Sequence, residues 1–148
     1  MVSTLDVAWT TRSGGGGRKE RRFLEFVIDG VPLSTRIDAD FISPFGWFSI
    51  DAQRAAIDRL QRRKPPDLAH GRTSLYICPE CGDLGCGAVS AMIAGGSGVV
   101  IWKDFGVQNN DEGAIHTEGF EGVGPFTFNG SLYHGLFKRP RRTLGIDR

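Results

Sequence analysis

Apolar and polar residues alternate from Thr4 to Thr11, with Leu5, Val7 and Trp9 on one face. A period of two predicts a half-buried strand. Arg22 to Ile28 reads as a second strand. Asp29-Gly30 then supplies a two-residue hairpin turn, because glycine accepts positive φ. Val31 to Ile37 is expected to return as a third strand, with Pro32 near its start. Between the first two strands, 13–20 is Ser-Gly-Gly-Gly-Gly-Arg-Lys-Glu, a flexible loop by composition. It lacks the Gly-Lys-Ser/Thr ending of a phosphate-cradling loop.

Phe41 to Phe48 is aromatic and broken by Pro44 and Gly46, which predicts a loop covering the core. Ser49 is placed as a helix N-cap, with Asp51 in the first turn. Ile50, Ala56, Ile57 and Leu60 form the apolar stripe of that helix. Gln61-Arg62-Arg63-Lys64 complements its C-terminal dipole, and Pro65-Pro66 stops it.

Strands are expected at Ser74 to Cys78, Gly87 to Ile93 and Val99 to Phe105, with a turn over Gly95-Gly96-Ser97-Gly98. Gln108 to Gly124 is polar and glycine-rich, a long loop or a ragged edge strand. Pro125 to Phe128 is a short strand. Asn129 caps a last helix that carries Leu132, Tyr133, Leu136 and Phe137 on one face and ends at Pro140. Six or seven strands and two helices, not alternating, argue a single α+β domain (1–148) with a mostly antiparallel sheet.

Composition narrows the function classes. A net charge of +1 over 148 residues gives no global argument for a nucleic-acid or membrane partner. Two basic clusters, 61–64 and 138–142, would form a patch only if they meet in space. No apolar run reaches the length of a membrane span, and Met1 to Asp6 does not open a secretory signal. A cytoplasmic protein is the resulting expectation. Three closely spaced cysteines, an odd number, fit a reducing compartment better than a disulfide framework.

Those cysteines carry the candidate chemistry. Cys78-Pro79-Glu80-Cys81-Gly82 has the form of a zinc or iron knuckle. Two intervening residues let both thiolates point at one ion, and the glycine permits a tight turn with N–H groups facing sulfur. Cys86 offers a third thiolate. A structural zinc wants a fourth ligand. Candidates are His70, His116, His134, Asp83 and water, with His116 the first choice because its loop can fold back. An open fourth position would instead suit a catalytic metal, with Glu80 or Asp83 as the nearby acid. The alternatives are three packed free thiols, or a redox pair. An iron–sulfur cluster would lack its fourth cysteine. The glycines of 82–87 do not have dinucleotide-binding spacing, and Asp104-Phe105-Gly106 stands without the other kinase motifs. No Ser/His/Asp set has a recognisable spacing.

The pattern Cys78-x-x-Cys81-Gly-Asp-Leu-Gly-Cys86-Gly-Ala, followed by Val100-x-Trp102-x-Asp104-Phe105 and Gly124-Pro125-Phe126-x-Phe128, resembles a group of small bacterial proteins without an established activity. The resemblance covers Tyr76 to Leu136. It implies a shared loop and names no reaction. An oxidoreductase label attached to some look-alikes finds no flavin or nicotinamide site in these residues.

Three functions follow as expectations. The first is a non-enzymatic protein-binding protein of the toxin-neutralising (immunity) type, using polar loops such as Gln108-Asn109-Asn110-Asp111-Glu112. The second is a zinc-stabilised interaction or nucleic-acid-binding module. The third is a thiol- or metal-dependent enzyme.

Overall fold

The computed structural model describes residues 1–111 and 113–146; Glu112 of the expected partner loop lies outside the described residues. Seven antiparallel strands divide between two sheets, giving the α+β class. The first sheet is β1 (Leu5–Arg12), β2 (Arg21–Ile28) and β3 (Val31–Pro32), in that order. The second is β4 (Thr73–Ile77), β5 (Ala88–Gly96), β6 (Val99–Gln108) and β7 (Phe126–Asn129), again in chain order. Helix α1 (Ile50–Leu60) lies between the sheets in sequence. The second helical region follows β7 as α2 (Gly130–Leu136) and α3 (Lys138–Thr143), divided at Phe137.

Local signals explain most of these elements. Asp29 and Gly30 take φ of 52° and 79°. Positive φ at both positions is the primed turn, whose twist matches a hairpin. Asp29 Oδ1 also accepts from Thr4 N at 2.8 Å. In the 13–20 loop, Gly15 N donates to Arg18 O at 3.0 Å and Arg18 N to Gly15 O at 3.1 Å, closing a tight turn. Ser49 Oγ accepts from Ala52 N, and Asn129 Oδ1 from Leu132 N, so both predicted caps are made.

Four details differ from expectation. The third strand stops at Pro32, which has no N–H for the ladder, and a 3-10 turn (Leu33–Arg36) buries Leu33 instead. Ile50 is 53% exposed. The buried stripe of α1 is Gln53, Ala56, Ile57 and Leu60, a regular i, i+3, i+4, i+7 set. Gln53 belongs there because its amide is used: Oε1 accepts from Gly46 N and Nε2 donates to Phe48 O. Leu132 is 72% exposed, leaving Tyr133 and Leu136 as the buried positions of α2. Pro140 sits inside α3 as its third residue, where helical N–H groups have no partner to lose.

The core lies where the sheets and helices meet. Trp102 of β6 is fully buried, edge-on to Phe26 of β2 at 5.3 Å and to Phe128 of β7 at 5.3 Å. Such pairs add about 0.5–1.5 kcal/mol beyond burial. Trp102 Nε1 donates to Tyr133 Oη at 3.0 Å, and Tyr133 Oη donates to Leu60 O at 2.6 Å, tying β6, α2 and α1 together. Tyr76 of β4 donates to the buried Glu25 of β2, joining the two sheets through side chains. An Ile42–Ile77 bridge and a Ser3–Phe128 bridge make further backbone connections to the second sheet. Among the described residues, no helix is long and apolar enough to cross a membrane.

Candidate metal centre

The chain from β4 to β5 turns twice, and each turn places sulfur. Cys78 follows the end of β4. Gly82 N donates to Cys78 O at 2.8 Å, closing the knuckle, with Gly82 at φ 73°. Asp83 Oδ1 then accepts from Gly85 N at 2.8 Å and caps a 3-10 turn (Leu84–Cys86). Gly87, at φ 107°, leads into β5. A close ring also forces glycine at position 82, and a ring crowds position 87. A Cβ on Gly82 would lie 2.4 Å from Phe48 Cε1, and one on Gly87 3.2 Å from Phe41 Cζ.

The result is three free thiols whose sulfurs all lie within 4.8 Å of one another, with Cys81 Sγ and Cys86 Sγ 3.3 Å apart. Zinc–thiolate bonds of about 2.3 Å in a tetrahedron require sulfurs about 3.8 Å apart, so a small adjustment seats an ion at three corners. The donor set fits zinc: three soft thiolates on short, backbone-braced turns. Asp83 N points to Cys81 Sγ at 3.4 Å. Burial pushes the Cys78 thiol up, but hydrogen bonds from the backbone N–H groups of Cys81 and Glu80, and from the Cys81 and Cys86 thiols, outweigh it and leave Cys78 below its ordinary value. Cys86 is pushed up to about 11 by its hydrogen bond and charge interaction with Cys81.

The structure does not bring a histidine into this group. His116 is exposed and forms a backbone bridge with Val107. His70 Nε2 contacts Gly113 O at 2.8 Å. His134 lies on α2 with its ring against Tyr133. Asp83 is occupied as the cap described above. Among the described residues the group of close ligand atoms contains three thiols alone, and Cys81 and Cys86 are exposed, so a fourth position faces outward. The expected partner loop lies beside it: a Cβ on Gly85 would be 3.4 Å from Asp111 Oδ2.

Three basic residues of the first sheet and its loop clasp the knuckle from behind. Arg12 holds Asp40 through two parallel bonds of 2.9 and 2.8 Å and reaches Glu80 Oε2 at 2.7 Å. Arg21 Nε donates to Pro79 O at 2.8 Å while its guanidinium stacks 4.4 Å over Trp47. Lys19 Nζ donates to Glu80 O at 3.1 Å. Sequence spacing points to none of these residues. No rule joins residue 21 to residue 79; the contact exists because β2 starts beside the knuckle.

Each basic cluster has one link to the neighbouring helical region, and no ion pair or hydrogen bond joins the clusters to each other among the described residues. Arg141 pairs with Asp58 on α1, and Gln61 Nε2 donates to His134 O at 3.3 Å, so α2 and α3 pack beside the C-terminal end of α1. Arg59, Arg62, Arg63 and Lys64 line a cleft of about 360 Å³ there. Arg59 pairs with Asp67 and Arg139 with Asp6. Arg62, Arg63, Lys64, Lys138 and Arg142 enter no ion pair among the described residues.

Comparison with protein-family models, with curated proteins and with solved structures returned no match.

Proposed function

We propose that this chain is a non-enzymatic binding protein whose cysteine loop is braced by zinc. The observation that carries the reading is the convergence of three sulfurs on a loop clasped by Arg12, Lys19 and Arg21. The clasp ties that loop to the first sheet, so a metal there stiffens the join between the sheets. The outward fourth position has Asn110 and Asp111 beside it, and that turn is the surface offered to a protein partner. A toxin encoded next to this chain is the first partner to test, as the immunity-type reading requires.

The experiment is metal content by mass spectrometry with a thiol count before and after denaturation. Near one zinc per chain, with thiols released only on unfolding, supports the reading. No metal and three freely titrating thiols sink it. In the metal-free chain Cys86, though exposed, should alkylate slowly at pH 8 because its proton is held.

A second reading is favoured by the basic cleft at the end of α1, lined by Arg59, Arg62, Arg63 and Lys64, which suits the phosphate backbone of a nucleic acid. Anisotropy with a labelled duplex should show affinity that falls steeply with salt and falls again in Arg63→Glu. A duplex that does not bind at low salt eliminates it.

A further inference from the structure

Arg72, just before β4, is 4% exposed, yet no carboxylate lies within ion-pair distance of it among the described residues. Its partners are neutral. Nε donates to Ser90 Oγ at 3.0 Å and to Gln108 Oε1 at 2.9 Å; Nη2 donates to Ser90 O at 3.2 Å and to Asp104 O. Nη1 makes no bond among the described residues. Part of this is structural, because the register of β5 and β6 shifts between Ser90 and Met92 and Arg72 takes up a carbonyl freed there. No ion pair compensates the charge among the described residues. Burial pushes Arg72 below its ordinary value, and the Asp104 carboxylate offsets this only in part.

Arg72 lines a cavity of about 450 Å³. That size is within the range of small-molecule sites. Phe105, Ile115, Phe120 and Val123 make its wall apolar. Lys103 stands at the same cavity. Two acids also line it. Asp104 is held at φ 56°, an uncommon value for a residue other than glycine. Glu121 Oε2 accepts from Gly119 N. Two cations against two acids leave the lining without net charge, which disfavours a multiply charged ligand; a single carboxylate is favoured only at the buried guanidinium that has no ion-pair partner.

We infer that this cavity binds a small monocarboxylate with an apolar or aromatic body, its carboxylate taken by the Arg72 guanidinium and its body by Phe105, Ile115, Phe120 and Val123. A carboxylate there supplies the charge that Arg72 lacks, through charge-assisted hydrogen bonds. The site is independent of the metal centre, and its failure would leave the zinc reading untouched.

The test is titration of the full chain with 3-phenylpropionate and hexanoate, each beside its uncharged amide, followed by amide chemical shifts. The expected result is that at least one acid shifts Phe105, Phe120 and Val123 and binds about tenfold more tightly than its amide, as a charged hydrogen bond contributes. Val123→Trp, which fills the cavity, should abolish those shifts. Because Arg72→Gln risks the fold, the acid–amide contrast on the unaltered chain decides. Equal affinity of acid and amide, shifts confined to other surfaces, or no binding of either acid in the millimolar range overturns the inference.

Discussion

Arg12, at the end of β1, and Arg72, just before β4, are both buried arginines, and they are treated in opposite ways. Arg12 is flanked by Asp40 and Glu80, and the bidentate Asp40 bond above all raises its value beyond the ordinary one. Arg72 is surrounded by hydroxyl, amide and carbonyl oxygens, and burial lowers it. A guanidinium desolvated against its own counterions is a fastener. One desolvated against neutral dipoles is a standing positive potential, held in place and not cancelled. The first belongs to the knuckle and the second to the cavity.

The sharpest way to break this contrast is Arg72→Met. Ser90 O, Asp104 O and the Gln108 amide would lose their donor, at about 1–3 kcal/mol for a buried orphaned group. We expect a net loss of about 3 kcal/mol, since removing the unpaired charge returns part of the cost; for a chain of this size that lowers Tm by roughly 10 °C. A neutral or stabilising result by thermal denaturation would mean that the neutral oxygens barely compensate the buried charge. Arg12→Met should cost less, with roughly half that fall in Tm, because Asp40 and Glu80 are partly exposed and water takes them up. In the same variant the metal-free thiols should react faster, since Glu80 is released from the first sheet; unchanged thiol kinetics would separate the clasp from the cysteines. The smallest effect concerns acid. Arg12 holds both Asp40 and Glu80 below the ordinary carboxylate range. Depressed folded-state values contribute stability that is present above the unfolded-state value, near pH 4, and is lost as pH falls through the folded one. The stability difference between the unaltered chain and Arg12→Met should therefore shrink below pH 4. A constant difference down to pH 2 by urea denaturation would assign the clamp to packing alone.

What can be read from the sequence follows the same division between local and distant contacts. The Asp29-Gly30 turn, the Ser49 and Asn129 caps and the cysteine knuckle each depend on residues a few positions apart, and each is present. Apolarity alone assigns Ile50 and Leu132 to buried faces. Which face of a helix is covered depends on what packs there, and Gln53 displaces Ile50 because Gly46 N and Phe48 O need its amide. His116 is the natural fourth ligand for a loop able to fold back; the loop does fold back, but onto Val107 of β6. The Arg72 site draws on no local pattern at all. Its parts come from residues 72, 90, 104–108 and 115–125, and only the pairing of β4, β5 and β6 assembles them.

Each sheet is built from strands consecutive in the chain, β1-β2-β3 and β4-β5-β6-β7. In kinetic terms, most backbone pairing therefore closes short loops, and neither meander has to wait for the other. Besides the Ile42–Ile77 bridge, long-range contacts include the Ser3 N to Thr127 O bond at 2.7 Å and the Asp6–Arg139 ion pair, which connect the two ends of the described chain. We expect the two end-to-end contacts to form after the folding barrier. Arg139→Ala should speed unfolding and leave the folding rate almost unchanged, and a slowed folding limb in stopped-flow traces would place that closure in the nucleus instead.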